Sequence, residues 1–399
     1  MGNASASRVS ADVAVVGAGL IGSAAAKYLA KEGLRVALIG TAQGNRHGVH
    51  ASHYDQARIT RLTSPDPVWA HLAHASQSRY STIEEESGIP FHTPCGHLRA
   101  DLPLNHPRSE LSSVVATLSE VRGDVVPVSN DEVEHLFPYL RFADATQFHI
   151  EPSPSGIVNP LQLIEAQLSI GLSNGMTFLH DVALETRREG DGWHIKTGEG
   201  SVVAERLLLC MGTYGKLMPD VVPIPMALSI RPETVLLAEV SPAMKATFDR
   251  MPGIIWNYDD HPDLPYAYIL PPVAYPDGRS WIKIGADHDR DIDISTVALA
   301  DQYMRSEGSA RTARMLKERL TTLIPSLSGA LVRSKPCLLT YTKSGYPVID
   351  QIENNCWAAM GGCGKSAKSS DQIGRMSAQL VLGHDWDQEY SRTTFRHVQ

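Results

Sequence analysis

The chain lacks any uninterrupted apolar run of membrane length, so a transmembrane helix is not expected. It has few cysteines. The five present, Cys95, Cys210, Cys337, Cys356 and Cys363, are scattered and odd in number, which suggests neither a disulfide framework nor a zinc site. Long basic runs are missing too, and with 36 Lys and Arg against 44 Asp and Glu the net charge is −8. That balance argues against nucleic acid or an anionic membrane as the main partner. His47, His50 and His53 cluster without a matching cysteine or acidic ligand pattern, so no metal is expected. The first ten residues have no apolar core of a secretory leader, and the chain does not end in Ser-Lys-Leu. A cytoplasmic protein, monomeric or a small homo-oligomer, is the expectation. What remains is a 399-residue chain, 43% apolar, long enough for two cores and without internal repeats.

The most informative stretch comes early. Val13 to Val16 run into Gly17-Ala18-Gly19-Leu20-Ile21-Gly22, followed by small residues at helical spacing and the strand Arg35 to Ile39. This is strand, turn and helix, with Gly33 closing the helix. Gly17 makes the turn, Gly19 admits a pyrophosphate to the backbone, and Gly22 lets the helix lie close to the strand. The pattern reads as a dinucleotide site, the plain alternative being a glycine turn that binds nothing. An acidic residue for the ribose hydroxyls is absent after Ile39, so Gly40 and Thr41 are expected at that place.

A long polar loop follows and carries Arg58 and Arg61. In a helical turn they would share a face and meet an anion; otherwise they are surface arginines. Pro67 to Ser87 reads as an amphipathic helix, Phe91 to Ala100 as a strand, and Asn159-Pro160 as the start of a helix reaching Leu172. From Thr177 to Cys210 short alternating strands suggest a meander that returns to the first sheet. Thr234 to Val240, Ile254 to Tyr258, Tyr266 to Leu270 and Trp281 to Ala286 suggest an antiparallel sheet. Alternation puts Lys283 opposite Ile282 and Ile284, either facing solvent or as a buried cation facing a site. Cys356 to Met360, then Gly361-Gly362-Cys363-Gly364, open a second helix from about Lys365 to Leu382.

Several of these stretches together resemble the monomeric sarcosine oxidase group of FAD-dependent amine oxidoreductases, within the D-amino-acid-oxidase-like superfamily. The similarity runs nearly end to end. It is carried by Ser52-His53-Tyr54-Asp55-Gln56-Ala57-Arg58-Ile59-Thr60-Arg61, by Glu151 to Gly156, and by Leu208 to Lys216. Trp281 to Gly285 and Cys337 to Thr342, with Asp350, complete it.

The resemblance implies an α/β chain with a Rossmann-like FAD-binding domain, discontinuous in sequence (11–90, 151–230 and 331–385). An antiparallel-sheet substrate domain (91–150 and 231–330) completes the expected fold. It implies FAD held by Gly17, Gly19, Gly22, Gly40, Thr41, Ser52, His53, Arg58, Val182, Gly212, Gly362, Gly364 and Lys365, and bonded to Cys337. Arg61 and Lys368 would clamp a substrate carboxylate, although without an inserted residue near Met360 the position would fall to Ala367. Tyr266 and Tyr268 would form aromatic walls, Tyr268 at the reacting centre, with Arg58 near the flavin ring. Lys283 would serve the O₂ step. Asp287 and His288 stand where the family often has a histidine after the strand lysine, which puts sarcosine itself in doubt. The implied activity is oxidation of a secondary amine or N-alkyl amino acid to an imine, giving H₂O₂. The alternatives are a dehydrogenase or tailoring enzyme acting on a larger amine, or a passive flavin-binding protein.

Overall fold

A computed structural model of the chain describes residues 7–41, 48–52, 54–121, 123–261, 263–286, 292–386 and 389–398. The opening stretch forms the strand Ser7–Val16, the helix Leu20–Lys31 and the strand Val36–Ile39. Gly17 turns the chain at φ +109°, where a side chain is strained, and a Cβ there would collide with the Cys210 carbonyl. A Cβ at Gly22 would strike the Gly17 carbonyl, so the helix lies hard against the strand only because that atom is missing. Gly33, at φ +81°, closes the helix with its amide on the Ala30 carbonyl at 2.9 Å.

These strands sit inside a parallel arrangement ordered Thr177–Leu179, Val36–Ile39, Ser7–Val16, Gly200–Leu209 and Cys356–Met360. Val36–Ile39, Cys356–Met360, Val13 to Val16 and Leu207 to Leu209 are buried on both faces, as central parallel strands are. The meander begins later than the pattern suggests. Thr177–Leu179 follows the helix Pro160–Ser173, capped by Asn159, and as the end of that crossover pairs parallel with Val36–Ile39. Only Ala183–Glu189, Gly192–Thr197 and the first half of Gly200–Leu209 run antiparallel.

A second sheet is ordered Val332–Thr342, Leu228–Val240, Ser280–Gly285, Tyr266–Ala274, Gly253–Asn257, His97–Asp101, Gln147–Glu151 and Val126–Val128. It departs from a wholly antiparallel sheet at one junction, because Gly253–Asn257 pairs parallel with His97–Asp101. Val332–Thr342, in the segment expected from residue 331 to join the cofactor-binding domain, pairs with Leu228–Val240 in this second sheet. Ile282 and Ile284 face the core behind the sheet, with Trp256 and Ile269, and Lys283 takes the other side.

Three further local readings change. Arg58–Thr60 is a strand, not a helical turn, and Arg61 follows its end, so the two arginines share no helical face, though both line the second cavity. Pro67 to Ser87 is two helices, Pro67–Gln77 and Tyr80–Ser87. The C-terminal helix is Ser370–Leu382, preceded by the 3₁₀ turn Ala367–Ser369, so Lys365 lies in the loop before it.

This last helix crosses Leu20–Lys31 at Gly374, where a Cβ would run into Ala24 and the Ala25 amide. Asp371 fastens the crossing. It accepts from Lys27 Nζ at 2.7 Å, Tyr28 Oη at 3.0 Å and Arg79 Nε at 2.7 Å, and it is fully buried. Among the described residues no helix is long and apolar enough to cross a membrane. Asp371→Ala leaves Lys27 buried without its counter-charge and should cost about 3–5 kcal/mol in urea denaturation. Against its burial, the Lys27 and Arg79 cations hold the Asp371 carboxyl below its usual range. Its contribution is therefore present above about pH 4 and lost as pH falls further, which denaturation across pH checks.

Candidate active site

Two cavities meet between the sheets. The first is lined by Gly17, Gly19, Gly40, Thr41, Val182 and Gly212, with Gly362 and Gly364 on its far side. The helix Leu20–Lys31 presents its N-terminus here with no side-chain cap. Uncapped amides and the positive end of the helix dipole suit a pyrophosphate. Gly40 lies so close to Ala18 that a Cβ would collide with the Ala18 amide. Thr41 is buried, its hydroxyl 3.3 Å from Tyr54 Oη. A carboxylate, Asp181, also lines this cavity, but its oxygens accept from the Val182 and Glu199 amides at 2.8 Å each. The residues present fit an elongated dinucleotide. Gly22 lies outside the lining and acts through packing.

The second cavity, about 430 Å³, is lined by Arg58, Arg61, Tyr266, Tyr268, Cys337 and Lys368. It shares Ser52, Arg58, Leu339, Cys363 and Gly364 with the first. Lys365 is exposed and lines this cavity, away from the first. His53, Asp287 and His288 lie outside the described residues. His47 does also, while His50 Nε2 meets Asp301 at 2.7 Å.

The charges fall into two groups. Arg61 and Lys368 come together on one wall, so Lys368, not Ala367, brings the cation to this cavity. Arg61 Nη1 bonds to the Thr63 carbonyl, and its enclosed Nε has no partner. Lys368, 5% exposed, donates to the Lys365 carbonyl at 3.2 Å. Burial and the Arg61 and Lys365 charges push Lys368 well below an ordinary lysine; burial and Arg99 bring Arg61 down to about 10. Arg61 thus weakens Lys368's hold on its proton, while Arg61 itself answers to burial and Arg99, with the Glu151 and Glu110 carboxylates opposing. Arg99, also on this wall, is occupied by Asp101 and Glu110 at 2.8 Å.

The other group surrounds Asp55. Lys283, 1% exposed, reaches the Asp55 carboxylate at 2.5 Å and the Ala57 carbonyl, and lines neither cavity. Arg58 Nη1 shares Asp55, and Arg58 Nη2 bonds the Ser52 carbonyl at 2.8 Å. Cys337 is buried, 3.7 Å from that same carbonyl; burial pushes its thiol up, with Arg58 opposing. Tyr268 stands between, its ring 5.9 Å from Lys283 Nζ.

The sequence reading did not single out Asp55, Lys335, Tyr275, Arg99 or Cys363. Asp55 lay inside the quoted loop as an acid three residues before Arg58. Cys363, at φ +50° in the glycine turn, lines both cavities.

A family model described as FAD dependent oxidoreductase matches residues 12–380. Monomeric sarcosine oxidase of Bacillus sp. (strain B-0618) is 24% identical over 380 residues, covering 93% of this chain and 92% of that one. Among solved structures, NikD, an unusual amino acid oxidase essential for nikkomycin biosynthesis, superposes at a TM-score of 0.78 and 16% identity, covering 98% of each chain. L-proline dehydrogenase from P. horikoshii superposes at 0.77 and 18%, covering 95% of each. Gly40→Val should weaken FAD binding to the reconstituted apoprotein by about tenfold or more, some 1.4 kcal/mol, measured by flavin fluorescence quenching.

Proposed function

The chain belongs to the FAD dependent oxidoreductase family, and we propose that it oxidises the C–N bond of a carboxylated secondary amine or N-alkyl amino acid to an imine. Electrons pass on to O₂, giving H₂O₂. The observation that carries this reading is the pair Arg61 and Lys368, with unused donors facing a cavity that adjoins the nucleotide site.

Bound FAD supplies a two-electron acceptor for hydride. The residues around it supply the rest. Arg61 offers a bidentate contact to a carboxylate and Lys368 a second charge, which together fix the amine end of the substrate toward the cavity boundary at Arg58. Tyr266 and Tyr268 wall the apolar part and exclude water. Lys283 and Arg58 provide fixed positive charge where negative charge develops during electron transfer to O₂. Cys337 lies in the same wall, and we assign it the covalent link to FAD.

Anaerobic bleaching of the bound flavin by a panel of N-alkyl amino acids tests the activity, and no bleaching by any would reject it. Arg61→Ala should lower kcat/KM for the best carboxylated amine by roughly ten- to a hundredfold, about 1.5–3 kcal/mol. Neutral amines lacking the carboxylate should lose far less. Lys283→Met should slow reoxidation by O₂ while leaving anaerobic bleaching largely intact. Acid precipitation should carry yellow colour with the polypeptide, and Cys337→Ala should release it to the supernatant.

A further inference from the structure

We propose that Asp55 is a positioning residue whose carboxylate keeps Lys283 charged and fixed beside the cofactor cavity; its bearing on O₂ rests on the reading above.

Asp55 is 4% exposed. Each of its oxygens is occupied: Oδ1 accepts from Tyr275 Oη at 2.6 Å and the Gln56 amide at 2.8 Å, and Oδ2 from Lys283 Nζ at 2.5 Å and Arg58 Nη1. Lys335 adds a third nearby cation, its Nζ on the Tyr54 carbonyl at 3.0 Å. The packed strands also carry Tyr268, Glu233 and Cys337, together with Arg231, Glu239, Tyr266 and Tyr341, and Arg333 is paired to Asp277 at 2.8 Å. Leu237 and Leu270 flank Lys283 in the sheet. One carboxylate therefore faces three cations in a dry setting.

A buried lysine beside two other cations gives up its proton unless a negative charge opposes them. Among the described residues Asp55 is the carboxylate in contact with Lys283. Burial and Arg58 draw Lys283 down to about 8, with Asp55 pulling the other way. Lys283 is thus an ammonium below that value and loses its charge as pH rises through it. Without the Asp55 charge the same loss occurs at lower pH. Asp55→Asn keeps the shape and an acceptor for Lys283, removes the charge, and turns the oxygen facing Tyr275 Oη and the Gln56 amide into a donor, from which the Tyr275 hydroxyl can accept.

The test follows lysine Cε resonances of ¹³C-lysine-labelled holoenzyme across pH, with Lys283 assigned by its disappearance in Lys283→Met. Lys283 should be protonated at pH 7 in the unaltered protein. In Asp55→Asn its midpoint should fall by about one pH unit or more, and the pH profile of flavin reoxidation by O₂ should fall with it. In a Lys283→Met background, Asp55→Asn should no longer move that profile. A neutral Lys283 at pH 7 in the unaltered protein overturns the proposal, as does an unmoved midpoint in Asp55→Asn. If that variant does not fold, Tyr275→Phe substitutes: with one donor fewer, Asp55 holds the lysine proton harder and the midpoint should rise. An unmoved or lowered midpoint there also overturns it. A shifted Lys283 with unshifted reoxidation supports Asp55's assignment and rejects the O₂ role of Lys283 instead.

Discussion

Close approach without side chains underlies the architecture. Helix Leu20–Lys31 touches the sheet at Gly22 and the final helix at Gly374, and at both contacts a single Cβ would force the elements apart. The second contact brings the start and end of the chain together. Because the apolar surfaces there are narrow, charge completes the joint: Lys27, Tyr28 and Arg79 converge on Asp371, which no solvent reaches. The uncapped helix end and the turn Gly361 to Gly364 then face each other across one cavity. A nucleotide site made this way depends on backbone geometry more than on any one side chain, consistent with the missing acid after Ile39.

Side-chain charge does its work one layer further out, and the two cationic groups of the site differ in what balances them. Around Asp55 the counter-charge is internal and permanent, so Lys283 and Arg58 are held whether or not a ligand is present. Around Arg61 and Lys368 it is deficient. Among the described residues Arg61 Nε has no partner, and burial and neighbouring cations make both groups hold their protons less firmly. An anionic ligand relieves that repulsion.

Much of this was readable from residues that act locally. The glycine turn, the Asn159-Pro160 helix start and the burial of Ile282 and Ile284 opposite Lys283 follow from short-range geometry. Pairing partners do not. Val332–Thr342 alternates like any strand, and nothing within it names Leu228–Val240 as its neighbour. Arg58 and Arg61 read as one helical face because three-residue spacing is ambiguous until the strand partner Gly156–Val158 is known. Asp55 went unnoticed because its role comes from Lys283, 228 residues away, and from Tyr275. Lys283 is likewise buried against Asp55 and Ala57 of a loop that alternation cannot see, and it lines neither cavity.

The strand Cys356–Met360 has one further implication. It lies beside Gly200–Leu209 in the parallel sheet, and the helix that follows closes over Leu20–Lys31. On a ribosome, the glycine turn therefore emerges long before its own platform can be finished. Until Cys356–Met360 has been made, Gly200–Leu209 lacks its parallel neighbour on that side. A nascent chain halted before residue 356 lacks the turn Gly361 to Gly364, which lines the nucleotide cavity.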